Sequence, residues 1–275
     1  MIVSNISRLS VAGAFCILVS CYGGAVLAQG GDGVNVGKAS ALRNLVPAGQ
    51  LESSAAQQYD QMLRQAAAKG ALAGNDYPQL LRLRGIAAKI IPHVGKWHPR
   101  ASSWKWEVNL IGSKQINAFC MPGGKIAFYT GILDTLKLTD DEVAAVMGHE
   151  VAHALREHAR ERMAKSELTN LGANLLGEFI GGGKYASAFQ AGGSLLTLKF
   201  SRDDETEADV IGLELAARAG YDPRAGVSLW QKMAAANSGA PPQWLSTHPS
   251  GKNRIQEIER HLPEVLPLYQ QASRK

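Results

Sequence analysis

Cysteine is scarce in this 275-residue chain, with three in all, Cys16, Cys21 and Cys120. Two of them fall near the N-terminus, so Cys120 stands alone in the body of the chain and no disulfide framework can form there. It sits in the apolar stretch Ala118-Phe119-Cys120-Met121, which reads as a packing position. Charge of one sign is also lacking. The formal net charge is +5 and is spread along the chain. With only 7% aromatic residues, no Lys/Arg cluster interleaves with rings, which argues against a nucleic-acid partner. Past the first 30 residues there is no apolar run of the roughly 20 needed to span a bilayer. What the chain does have is 45% hydrophobic residues, enough for the core of one sizeable domain or at most two small ones.

The N-terminus reads as an export signal. Arg8 is its only basic side chain, and Leu9 to Val19 form an apolar segment too short to span a membrane. Two processing readings fit. In the first, Leu18-Val19-Ser20-Cys21 is a bacterial lipobox, residues 1 to 20 are removed, and Cys21 is acylated. In the second, cleavage follows Ala28 after the small-residue site Val26-Leu27-Ala28. The first is favoured because the apolar segment ends where the lipobox begins. Tyr22 in place of Asp suggests, by analogy with lipoprotein sorting, an outer-membrane anchor. Residues 21 to 39 are Gly-rich and read as a flexible tether. Residues 40 to 275 then form the domain proper.

Within it, Ala39 to Lys69 and Tyr77 to Ile91 carry helical periodicity. Trp104 to Leu110, Ile116 to Met121 and Lys125 to Thr130 read as strands, with a turn at Pro122-Gly123-Gly124. Short connections imply a small antiparallel or mixed sheet. Thr139 followed by Glu142 makes a capping box, and the helix it opens is expected from Asp140 to Ala164. The Gly/Ala/Leu-rich stretch 167 to 199 reads as two packed helices with a hinge, or else as a lid or a membrane-touching surface. Further helices are expected over Asp203 to Ala219, Ala225 to Asn237 and, after a loop bearing His248, Asn253 to His261. The fold class is α+β: mostly helical, with the small sheet packed near the helix from Asp140.

That helix holds His149-Glu150-Val151-Ala152-His153. At about 100° and 1.5 Å per residue, His149 and His153 are offset by only about 40° and 6 Å, so both imidazoles reach one ion. Glu150 can reach a water there without binding the ion. Such a donor pair suits zinc. With 7 histidines in the chain, the pattern is expected by chance roughly 0.01 times. The apolar flank Val143, Ala144, Val146, Met147 and Ala152 places the histidines in the interior, where they need partners. His158 follows in a polar run and reads as surface. A catalytic zinc site needs a third protein ligand and an open fourth position. Glu205 and Asp209 share a helical face, so Glu205 can bind the metal while Asp209 holds the second ring nitrogen of a ligand histidine. Glu207 lies about 200° round from Glu205 and should point away.

These residues resemble the HtpX and Oma-type metallopeptidases, relatives of the CAAX prenyl proteases in the gluzincin peptidase family M48. The resemblance runs from about residue 40 to 262. It is carried by Asn117 to Gly124 with Thr130-Gly131, His149 to His153, Ser201-Arg202 through Asp209 with Gly212, Ala219 to Pro223, and His248-Pro249-Ser250 with Arg254 and Ile255. It implies a gluzincin metallopeptidase domain with His149, His153 and Glu205 holding one zinc ion and Glu150 as catalytic base. The chain looks like the soluble, periplasm-facing bacterial members, several of which are lipoproteins concerned with outer-membrane protein quality control. His248, with Arg254 as support, is the candidate to stabilise the oxyanion. The strand at Asn117-Ala118 is expected to pair with extended substrate, favouring unfolded or membrane-associated polypeptides. A holdase or assembly factor that uses the same groove without cleavage is the alternative.

Overall fold

The computed structural model describes residues 33–171, 195–236, 242–249 and 253–274. The signal, Cys21 and most of the Gly-rich stretch 167 to 199 lie outside these residues. Helices dominate: α1 (Ala48–Ala68), α2 (Pro78–Ile90), α3 (Thr130–Leu136), α4 (Asp140–Leu155), α5 (His158–Leu171), α6 (Arg202–Arg218), α7 (Ala225–Ala236), α8 (Gln243–Thr247) and α9 (Arg254–Ala272). Three strands, β1 (Glu107–Ile111), β2 (Ala118–Met121) and β3 (Lys125–Tyr129), form one sheet in the order β1-β3-β2. The sheet is mixed, because β3 runs parallel to β1 and antiparallel to β2. No described helix is long and apolar enough to cross a membrane.

Strand alternation sorts the sheet's side chains onto two faces. Val108, Leu110, Ala118, Ile126 and Phe128 enter the main core with α2, α4 and α6. Ile111, Phe119, Met121 and Ala127 face Ala55, Tyr59 and Ala66 of α1. The sheet is therefore a middle layer between α1 and the main-core helices α2, α4 and α6. Cys120, between Phe119 and Met121, takes the α4 side and packs against the main core. Pro122-Gly123-Gly124 turns β2 into β3, with both glycines at positive φ (83° and 80°). Only glycine holds that conformation without strain.

Helix α4 starts as expected. Thr139 Oγ1 accepts from the Glu142 backbone, and Glu142 returns to the Thr139 N–H at 2.9 Å. From Glu142 to Leu155 every residue is buried, which is the pattern of a helix threaded through a core. Two expectations about helices fail. The helix does not continue to Ala164, because Glu157 adopts a left-handed φ of 57° and α5 restarts at His158. That conformation costs about 1–2 kcal/mol for a residue with a Cβ. Arg160 at 2.8 Å and Arg43 at 3.3 Å engage the Glu157 carboxylate and offset the cost. The last helix does not stop near His261 but runs through Pro263 and Pro267 to Ala272. Each interior proline costs about 3 kcal/mol. Burial of Ile258, Val265 and Leu268, at about 1.5–3 kcal/mol each, is of comparable size and keeps the helix intact. The tether reading also needs amendment at its described end. Val34 is buried and its N–H donates to the buried Glu214 carboxylate at 2.7 Å.

Candidate metal centre

Helices α4 and α6 cross at two glycines. A Cβ on Gly148 would lie 2.6 Å from Gly212 O, and one on Gly212 would lie 2.7 Å from His149 N. This backbone-to-backbone approach brings the first turns of α6 against the histidines of α4. His149 Nε2 and His153 Nε2 are 3.0 Å apart. Glu205 lies 3.6 Å from His149 Nε2 through Oε2 and 3.5 Å from His153 Nε2 through Oε1. His248, at the C-terminal end of α8, places Nδ1 3.3 Å from His149 Nε2 and 2.9 Å from Glu205 Oε1. All four side chains are buried.

These separations have a simple meaning. A tetrahedral ion with bonds of about 2.0–2.1 Å holds its ligand atoms roughly 3.3 Å apart. The His149, His153, Glu205 and His248 donors converge on that spacing, all within 4.8 Å of one another. Three imidazole nitrogens and one carboxylate are a donor set that fits zinc.

The surroundings hold Glu205 and His153 in their binding forms. Asp209 Oδ1 lies 2.9 Å from His149 Nδ1. Burial would raise the Asp209 carboxyl, but the Arg254 charge and the hydrogen bonds from His149 and Arg254 outweigh it and hold it at about 2. Glu205 is lowered in the same manner, burial being outweighed by His248, His149 and Arg254. Burial first, and then the neighbouring histidines and Arg254, push His153 well below its usual value. It therefore stays neutral, as a ligand must. His248 moves the other way, because Glu150 and Glu205 outweigh its burial.

Arg254 is placed differently from the expectation that it would assist His248 at an oxyanion. Its guanidinium takes both Asp209 oxygens at 2.6 Å, donates to Glu205 Oε2, and lies over the Trp230 ring at 3.8 Å. It backs the carboxylates from behind. Starting α9 at Arg254 aims it inward, and a fork of five donors matches two facing carboxylates.

A peptidase family M48 model matches residues 83–262. The chain belongs to peptidase family M48. Mitochondrial metalloendopeptidase OMA1 of Schizosaccharomyces pombe is 38% identical over 191 residues, covering 69% of this chain and 55% of that protein. Metalloprotease LoiP of Escherichia coli is 31% identical over 149 residues, covering 53% and 58%. The beta-barrel assembly-enhancing protease of Escherichia coli is 30% identical over 182 residues, covering 60% and 36%. The chain thus spans between about a third and somewhat over half of the length of the curated relatives it matches.

For this M48 chain the structure also brings in residues that the sequence reading left aside or placed elsewhere. His158 is buried, not on the surface, with Nδ1 2.9 Å from His153 Nδ1. On an unbroken helix it would sit about 140° round from His153; the break at Glu157 turns it inward. Glu207 does face away from the donors, and meets His158 Nε2 at 2.7 Å and Arg156 at 2.5 Å. Trp244 is fully buried and donates its Nε1–H to Glu150 Oε1 at 2.5 Å, while stacking on His248 with ring centres 4.9 Å apart. Its spacing of four from His248 was the available signal. Phe200 stacks on His153 at 4.0 Å. Cys120 is partly buried, and burial together with Glu150 raises its thiol well above the usual value, as suits a packing residue.

A cavity opens beside Glu150, His153 and His248, lined by Asn117, by Ala118 and Phe119 of β2, and by Leu196 and Phe200. Among the described strands β2 is hydrogen-bonded on one side only, to β3, and this cavity follows it.

Proposed function

We propose that this M48 member is a zinc-dependent endopeptidase of the bacterial cell envelope that cleaves unfolded or misassembled polypeptides. The observation that carries the reading is Glu150 beside the buried donor set, at the mouth of a cavity bordered by an edge strand.

His149, His153 and Glu205 would hold the ion. Zinc, when bound, supplies Lewis acidity and a water of near-neutral pKa. Trp244 fixes Glu150 through Oε1, leaving Oε2 to take a proton from the attacking water and pass it to the leaving amine. The Asn117-Ala118 edge of β2 would receive the substrate backbone as an added strand, which requires an extended chain and so selects unfolded segments. The apolar walls at Phe119, Leu196 and Phe200 suit the side chains such segments expose.

His248 has two alternative uses. Its Nδ1 stands within tetrahedral spacing of His149 and Glu205, which supports a resting role as fourth ligand. Swung outward, its ring would be free to donate to the oxyanion. A site closed in this way would limit cleavage until substrate displaced the histidine.

The envelope placement rests on Leu18 to Cys21 as a lipobox. The reading is tested by incubating purified protein with a disulfide-bonded polypeptide in its native form and with the same polypeptide held unfolded by reduction and alkylation. Hydrolysis of the unfolded form alone, lost with chelator and regained with zinc, is expected. Binding without cleavage would support a holdase instead. A Cys21→Ser form should leave the membrane fraction or stay unprocessed, and a mature N-terminus at Gln29 would reject the lipid anchor.

A further inference from the structure

The two ligand histidines are supported unequally. His149 Nδ1 meets a carboxylate directly, Asp209, at 2.9 Å. His153 Nδ1 meets another imidazole, His158 Nδ1, also at 2.9 Å. The contact continues from His158 Nε2 to Glu207 Oε2 at 2.7 Å, and Glu207 Oε1 takes Arg156 at 2.5 Å. His153 is 3% exposed and His158 2%, so water does not compete for the contact between the two imidazoles.

Proton bookkeeping along this chain has one solution, given the metal reading above on which it rests. For His153 Nε2 to present its lone pair to an ion, the ring hydrogen must be on Nδ1. That hydrogen can go only to His158 Nδ1, which must then be an acceptor. The hydrogen of His158 is left on Nε2 and goes to Glu207, which only accepts. In the reverse arrangement His158 donates from Nδ1, and His153 carries its hydrogen on Nε2, where it blocks the ion. Glu207, by holding the Nε2–H of His158, disfavours that arrangement.

We propose that His158 and Glu207, with Arg156 behind them, are positioning residues that lock His153 in its metal-binding tautomer. None of the three is among the converging donors. The chain exists because α4 ends at Leu155 and α5 begins at His158, with Glu157 left-handed between them. The ordinary partner of a zinc-bound histidine is a single carboxylate, carbonyl or water; here an imidazole is interposed.

Two measurements test this on the full chain. The first is the tautomer of His153 in zinc-free wild-type protein, read from nitrogen-15 ring shifts. A single Nδ1–H form is expected, and an Nε2–H form overturns the proposal without any variant having to fold. The second is zinc affinity by chelator competition. His158→Asn keeps an oxygen where Nδ1 stood, can still accept from His153, and should bind zinc within about threefold of wild type. His158→Gln and His158→Leu lose that acceptor and should bind about 10- to 100-fold more weakly, with Glu207→Leu near the lower end of that range. Equal affinities for the Asn and Leu forms would overturn the chain. A wild type that binds no zinc would instead strike the metal reading, and the tautomer would still decide the proposal.

Discussion

Gly212→Ala pits two effects of known size against each other. In a helix interior, alanine is favoured over glycine by about 1 kcal/mol. Against that, the new Cβ would lie 2.7 Å from His149 N, 2.9 Å from Gly148 C and 3.0 Å from His149 Cα. All three are backbone atoms, so none can rotate away. Reaching ordinary contact at 3.4 Å or more requires α4 and α6 to part by roughly half an ångström or more at the crossing. Overpacking of this kind costs about 1–3 kcal/mol, and the rigid neighbours put it near the upper end. The net expectation is a loss of about 1–2 kcal/mol. The same parting carries Glu205 and Asp209 away from His149 and His153, so zinc should bind at least about 10-fold more weakly. Urea unfolding and chelator competition on the purified variant measure both. Gly85→Ala is the control, because its Cβ meets nothing within 4 Å; it should leave zinc affinity unchanged and stability equal or up to about 1 kcal/mol higher. A Gly212→Ala protein as stable as wild type with unaltered zinc affinity would refute the argument that this crossing sets the site.

Three further outcomes are expected. Glu205→Ala should lose zinc to mild chelation, whereas Asp209→Ala should weaken binding by about 10- to 100-fold, both read by metal analysis. His248→Ala should keep zinc and hydrolyse unfolded polypeptide faster than wild type; a fall of about 10²- to 10³-fold with zinc intact would assign the oxyanion role instead. Glu157 is held at about 2 although burial alone would raise it, because His98, Arg160 and Arg43 hold its charged form. Its folded value lies below the ordinary 4.5, so its stabilisation is complete above that pH and is lost as pH falls towards 2. Urea unfolding of wild type and Glu157→Gln should therefore differ at pH 6 and converge near pH 2–3; a constant difference would contradict this.

Local signals in the sequence carried much of the architecture. The Thr139–Glu142 box, the period-2 strands and the Pro-Gly-Gly turn depend on neighbours a few residues apart; the box and the turn appear where their signals lie, and the first two strands begin two to three residues later than expected. The helical spacing of His149 and His153, and of Glu205 and Asp209, likewise placed these side chains on shared faces. What escaped depends on contacts distant in the chain. The left-handed Glu157 is stabilised by Arg43 and His98, more than 50 residues away, so nothing beside it marks the break that turns His158 inward. Pro263 and Pro267 look like helix stops until burial against α6 and α7 is counted. Trp244 meets Glu150 across 94 residues, and Arg254 reaches Asp209 and Glu205 only because α9 packs over α6.

The central claim is that Glu150 moves the proton at a zinc ion held by its neighbours. The direct test is the zinc content and peptidase activity of Glu150→Gln, measured on the same preparation. The account predicts zinc at the wild-type level, since no ligand is altered, with hydrolysis reduced by several orders of magnitude. A zinc-loaded Glu150→Gln protein that turns over substrate near the wild-type rate would contradict it.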